Sequence, residues 1–153
     1  MQAFVADPRS PNVVAGGKRP RTTLTPTIIL RAGEPFLAIS TPGGDTQDQQ
    51  ILNVLLALTQ FDMGLQEAVE APRINSRHMF STFGAHRDDP LALEVESRIA
   101  PGVVEALRAK GHRTLLRGPF GISTGITAVG VDPTTGTLRG AADVRRERYI
   151  SGW

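Results

Sequence analysis

Apolar positions follow two different periods along this chain. Thr27-Ile28-Ile29-Leu30-Arg31 and Pro35-Phe36-Leu37-Ala38-Ile39-Ser40 are short apolar runs rich in strand formers, with Ala32-Gly33-Glu34 as a turn between them. The pair predicts a hairpin, and its nearly unbroken apolar character predicts strands covered on both faces. Over residues 47–61 the period changes, with Ile51, Leu52, Val54, Leu55, Leu58 and Phe61 at helical spacing. Gly64 is the expected stop of that helix. Residues 65–71 predict a short second helix ended by Pro72. Residues 74–80 fit neither period, 81–90 read as a polar loop, and 91–96 alternate as a strand. Residues 101–110 form an amphipathic pattern with Val103, Val104 and Leu107 inward, opened by Pro101 and closed by Gly111. A short strand over 112–116 and a glycine-rich stretch over 118–125 follow. A second hairpin is predicted from 126–131, a turn at 132–136, and 137–141. Hairpins with flanking helices indicate an α+β layered domain over residues 21–153. Residues 1–20, rich in Pro, Gly and Asn, read as an extended arm with little core of its own.

Composition narrows the function classes. The chain has 153 residues, 40% hydrophobic and 21% charged, enough for one globular domain with a core. No run approaches the ~20 apolar residues of a membrane helix, so no membrane partner is expected. The first twenty residues hold no signal-type stretch. The absence of cysteine removes disulfides, thiolate metal sites and cysteine nucleophiles. Arginine supplies most of the positive charge, and Arg145, Arg146 and Arg148 form its one dense cluster. Asp143 and Glu147 lie beside that cluster, so pairing is expected there in preference to phosphate binding. Aromatic residues at 5% give no stacking platform, and no nucleic-acid partner is expected.

Few side chains suggest chemistry. His78, His86 and His112 have no partner at metal-ligand spacing, so no metal is expected. No serine sits in a G-x-S-x-G elbow. Asp88-Asp89 reads as a solvated turn. Glu94 and Glu96 share one side of their strand, and like charges there predict an exposed edge. No residue reads as an activated nucleophile. What remains is Ser40-Thr41-Pro42-Gly43-Gly44-Asp45-Thr46-Gln47, between a strand and a helix. Adjacent glycines let a ligand approach the main chain closely, and a helix start adds unpaired N–H donors. Such a turn suits an anion or the oxyanion of acyl transfer. A plain tight turn capped by Asp45 or Thr46 accounts for the same residues. Thr22-Thr23 lie about twenty residues upstream, and a hairpin would return them to the glycines. Their hydroxyls with backbone donors would bind a carboxylate; as strand formers they need no ligand.

Five segments, in order, carry a resemblance: Arg19-Pro20-Arg21-Thr22-Thr23-Leu24-Thr25-Pro26-Thr27-Ile28; Thr41-Pro42-Gly43-Gly44; Gly64-Leu65-Gln66-Glu67-Ala68-Val69-Glu70-Ala71-Pro72-Arg73; Leu107-Arg108-Ala109-Lys110-Gly111-His112; and Gly140-Ala141-Ala142-Asp143. Together they resemble the C-terminal part of the small subunit of γ-glutamyltransferases. The resemblance implies an αββα N-terminal-nucleophile hydrolase sandwich, incomplete in this chain. It implies a self-cleaving precursor whose new N-terminal threonine attacks a γ-glutamyl amide and passes the acyl group to water or an amine. By position, Gly43 and Gly44 match the oxyanion-hole glycines. Thr22 and Thr23 match hydroxyl residues that hold the substrate α-carboxylate. The nucleophile would lie upstream, so this chain alone is expected to be inactive, and no cofactor is expected. Met1-Gln2-Ala3-Phe4 resembles the end of an N-N-Q-M-D-D-F motif, with Ala3 where the family has an aspartate gripping the α-amino group. Related acylases act on cephalosporin-type amides, so an acylase is the alternative within the superfamily. A non-catalytic anion-binding or interaction module is the alternative outside it. Expected partners are the missing N-terminal part or large subunit of the same precursor, an amide substrate, and a second copy of the isolated chain. The compartment, whether periplasmic, secreted or cytoplasmic, would be set upstream.

Overall fold

The computed structural model describes residues 4–19, 21–83 and 86–152. Met1 to Ala3, on which the aspartate comparison rests, lie outside the described residues. The arm is closed on itself: Val5 and Val13 form an isolated bridge, and Asp7 pairs with Arg9.

Strands β1 (Thr27–Arg31), β2 (Glu34–Ser40), β6 (Thr127–Val131) and β7 (Leu138–Ala142) make an antiparallel sheet in the order β1-β2-β6-β7. Both expected hairpins are present. The first turns on Ala32 (φ 52) and Gly33 (φ 88), the two left-handed residues that a tight two-residue hairpin loop requires. The second sheet holds β3 (Ile74–Ser76), β4 (Ala92–Glu96) and β5 (Arg113–Arg117), with β4 central and parallel to β5. Residues 74–80, which followed no period, thus resolve into a three-residue strand and a loop.

Helices α1 (Gln47–Gln60) and α2 (Leu65–Glu70) cover one face of the first sheet. Ile51 and Val54 of α1 and Val69 of α2 meet Leu37, Ile39, Ile126 and Ala128 in the main core. Burying each large aliphatic side chain there contributes about 1.5–3 kcal/mol, which is what holds the helices to the sheet. Helix α3 (Pro101–Ala109) places Val104 on Leu93 and Val95 of β4, forming a smaller core.

Four expectations are corrected. The first hairpin is covered on one face only: Ile28 and Leu30 are 76% and 58% exposed while Leu37 and Ile39 are buried. Leu52 and Phe61 of the helical pattern, and Val103 of α3, also face solvent. The left-handed residue after α1 is Asp62 (φ 49), not Gly64. Gly64 is extended and starts α2, donating its N–H to Glu67 Oε2 at 3.3 Å. Finally, Glu94 and Glu96 do share one side of β4, but β4 is a central strand and not an edge, and that side is interior because Arg145 and Arg98 cover Glu96 while Asn75, Arg77 and Arg117 surround Glu94.

Candidate functional site

The chain leaves β2 at Ser40 and enters α1 through one tight 3-10 turn, Gly44–Thr46. Gly43 (φ 149) and Gly44 (φ 60) both adopt conformations that L side chains avoid. A side chain at either position would also displace a neighbouring side chain. A Cβ on Gly43 would lie 2.5 Å from Thr46 Oγ1, and one on Gly44 2.7 Å from Phe83 Cε2. Among the described residues, neither the Gly43 nor the Gly44 N–H donates to a protein acceptor. The turn is held from behind by Thr41, whose hydroxyl accepts the Gly125 N–H at 3.1 Å and donates to Pro42 O at 2.8 Å. Neither Asp45 nor Thr46 caps α1 with its side chain. Thr46 Oγ1 donates to Gly43 O at 3.0 Å, while Asp45 Oδ2 accepts the Thr82 N–H at 2.7 Å and the Ser81 hydroxyl at 3.3 Å.

The hairpin brings Thr22 and Thr23 back to these glycines. All four residues line one open depression of about 1510 Å³. Thr22 Oγ1 accepts the Leu24 N–H at 3.2 Å, and the half-buried Thr23 is reached by Gln47 Nε2 at 3.5 Å. Gln47 Oε1 accepts the Thr25 hydroxyl at 3.2 Å. The buried Gln47, first residue of α1, therefore ties the threonine segment to the glycine turn. Sequence reasoning missed it, since a glutamine at a helix start carries no distinctive spacing.

Glu94 forms one wall of the depression. It accepts from Asn75 Nδ2 at 2.7 Å, Arg77 at 3.3 Å and Arg117 Nε at 3.0 Å. Burial alone would raise its carboxyl, but the bonds from Asn75 and Arg117 hold it below the usual carboxylate range. Asp89 of the acidic pair binds Arg113 on the surface. His78 Nδ1 accepts the Leu91 N–H, and His86 Nδ1 meets Ser81 O. Among the described residues no group of three His, Cys, Asp or Glu is arranged to hold a metal ion, and no helix is long and apolar enough to cross a membrane.

Beneath the site lies a buried ionic cluster. Arg73 Nη1 donates to Asp143 Oδ2 at 2.8 Å and to Thr124 Oγ1 at 2.5 Å. Arg145 donates to both oxygens of Glu96 at 2.7 and 2.6 Å and to Asp143 Oδ1 at 3.1 Å. The side chains of Arg145, Asp143 and Glu96 are wholly buried, and that of Arg73 is 1% exposed. Burial pulls Arg73 down to about 10, against the attraction of Asp143. Burial would raise Asp143, yet Arg73 and the Arg145 N–H hold it below the usual range. The difference follows from the neighbours: Arg73 also feels the like charge of Arg145, and its Nε is buried without a partner among the described residues. The arginine cluster thus pairs inward at Arg145 only. Arg146 instead binds the Ser123 hydroxyl at 2.7 Å. Through Thr124 and Gly125 the cluster connects directly to Thr41 behind the glycine turn.

The family model described as Gamma-glutamyltranspeptidase matches residues 1–153. The "Glutathione hydrolase proenzyme" of Bacillus subtilis (strain 168) is 31% identical over 153 residues, covering 97% of this chain and 23% of that protein. The "Acylase ACY 1 proenzyme" of Pseudomonas sp. (strain SE83) is 36% identical over 129 residues, covering 84% of this chain and 20% of that protein. The solved structure titled "Structure of LmbA2991HD" superposes with a TM-score of 0.82 at 37% identity, over 94% of this chain and 25% of that one. The chain therefore spans about a quarter of the length of these relatives, and its fold is the matching part of a larger hydrolase fold.

Proposed function

The chain belongs to the gamma-glutamyltranspeptidase family, and from that premise we propose that its glycine turn is the oxyanion-binding element of an acyl-transfer site. One observation carries this reading. Two adjacent N–H groups, without an acceptor among the described residues, are presented at a turn whose positive φ values favour glycine, in the same depression as Thr22 and Thr23. Fixed donors aimed where charge develops stabilise a tetrahedral oxyanion more than the neutral carbonyl that precedes it. In this reading Gly43 and Gly44 receive the oxyanion, while Thr22 and Thr23 hold a substrate carboxylate. The whole protein transfers a γ-glutamyl group to water or an amine. An acylase is the second reading, favoured by Ala3 in the aligned motif and by the 36% identity to the acylase proenzyme.

The attacking group in this reading is supplied from outside the chain. The 153 residues alone then release no p-nitroaniline from γ-glutamyl-p-nitroanilide, while the full-length protein does. Turnover by the purified 153-residue chain would overturn the division of labour. Retained anion binding by a full-length protein that hydrolyses no amide would favour the non-catalytic module. The exposed face bearing Ile28 and Leu30 is, in the same reading, the face that packs against the remainder of the precursor. The isolated chain then buries it by self-association. A light-scattering mass of one monomer across a concentration series would count against that.

A further inference from the structure

Two cationic side chains converge on one carboxylate oxygen in the wall of the depression. Arg77, which follows β3, donates through Nη1 to Glu94 Oε1 at 3.3 Å. Arg117, the last residue of β5, donates to the same oxygen through Nε at 3.0 Å and through Nη2. The other oxygen of Glu94 accepts Asn75 Nδ2 at 2.7 Å. The Glu94 side chain is 12% exposed, while those of Arg77 and Arg117 are 52% and 39% exposed. The carboxylate is thus the sunken base of the group, and the guanidiniums are its open face. One negative charge meets two positive ones, so a positive charge is left over where a ligand can reach it. No other acid on the lining binds Arg77 or Arg117. Asp89 binds Arg113, Asp45 accepts the Thr82 N–H, Asp48 accepts the Gln49 N–H, and Asp88 has Arg87 beside it in the chain.

The arginine pair is tied to the glycine turn. Gln49, in the first turn of α1, donates to Ser76 O at 3.1 Å and accepts the Ser76 N–H at 2.7 Å, one residue before Arg77. Gly43, Gly44, Thr22 and Thr23 account for the acyl half of an amide in the proposed reading, which leaves the arginine pair for the amine half. A guanidinium matches a carboxylate in both charge and planar donor geometry. We propose that Arg77 and Arg117 are specificity-determining residues for the amine half of the substrate, taking a carboxylate carried by that amine. The inference rests on the oxyanion reading of the glycine turn, and it applies equally to a γ-glutamyl amide and to an acylase substrate.

The test uses the full-length protein and two anilides that differ by one carboxylate on the aniline, the 4-nitroanilide and the 3-carboxy-4-nitroanilide. Both carry whichever acyl group, γ-glutamyl or glutaryl, the wild type hydrolyses. The readout is the carboxylated-to-plain ratio of kcat/KM, each variant being compared with the wild type so that the intrinsic reactivity of the two anilines cancels. Arg77→Ala is expected to lower this ratio about 10-fold, the scale of one hydrogen bond to a charged group. Arg77→Lys is expected to keep part of it, and Arg77→Glu to lower it further than Arg77→Ala. That order follows charge, which a purely structural role for Arg77 would not produce. Arg117→Ala is expected to act as Arg77→Ala does; the Arg77 series decides the matter if that variant fails to fold. The wild-type ratio retained in an active Arg77→Glu variant overturns the inference and leaves the oxyanion reading standing. A wild-type protein that hydrolyses neither anilide with either acyl group overturns the oxyanion reading, and the role of the arginine pair falls with it.

Discussion

Arg73 and Gly44 belong to two polar regions joined through the loop at 122–126, yet the regions are finished in opposite ways. Around Arg73 every charge has an opposite charge in contact: Asp143, Arg145 and Glu96 interlock beneath the surface, and main-chain oxygens of Val69 and Ala71 take further donors. Around Gly43 and Gly44 the opposite holds. The backbone is held by Thr41, Thr46 and Asp45, but the Gly43 and Gly44 N–H groups have no acceptor among the described residues. Polar groups removed from water are normally satisfied. A region that satisfies all but one of its charged donors is a structural weld; a region that leaves its donors open at a solvent-facing depression is, in the proposed reading, a ligand site. The same chemistry, a positive group facing a negative one, has its partner built in at one place and lacks it at the other.

The comparison can be broken first at the weld. Asp143→Ala leaves Arg73 and Arg145 buried without their shared partner, and the expected loss is about 3–5 kcal/mol of folding free energy, read from urea unfolding. A loss under about 1 kcal/mol would show that the cluster contributes no cohesion. Acid should act in the same direction. Asp143 and Glu94 have folded-state values below the ordinary carboxylate range, so their contribution is complete above about pH 4 and is lost as pH falls through the folded values. The urea midpoint should drop below that pH in the wild type and drop less in Asp143→Ala.

A smaller effect sharpens the other side. Replacing Thr22 and Thr23 together by alanine removes two exposed or half-buried hydroxyls that make few internal bonds. Stability should change by less than about 1 kcal/mol. In the full-length protein KM for a carboxylate-bearing substrate should rise about 10-fold, the cost of roughly one hydrogen bond to a charged group, with kcat held within a few-fold. A fall in kcat at constant KM would place the threonines elsewhere in the mechanism.

The difference between the regions also explains what the sequence disclosed. The two hairpins and all three helices are legible because their apolar periods report local geometry, and the glycine turn is legible because only glycine fits it. Glu94 and Glu96 were misjudged because alternation shows that two residues share a face but not which face is inside. That depends on what covers the face, here Arg145 over Glu96 and Arg117 beside Glu94, 49 and 23 residues on. Arg73 lies within a segment that carried the family resemblance, but nothing local tells that its partners are Asp143 and Thr124, 70 and 51 residues on. The plain-turn reading gives the cap of α1 to Asp45 or Thr46, and capping is the ordinary task of an aspartate there. Its actual partners in the 81–83 segment come from a polar loop without periodicity.

Whether the glycine turn stabilises an oxyanion is tested most directly by single-turnover acyl transfer in a full-length Gly44→Pro variant, with folding checked by its unfolding transition. Proline removes the Gly44 N–H and cannot take its positive φ. The account predicts that the chemical step slows by about 10²–10³-fold, or about 2.7–4 kcal/mol of barrier, while the substrate still binds. An unaltered rate in the folded variant would contradict it and leave Gly43-Gly44 as no more than a turn.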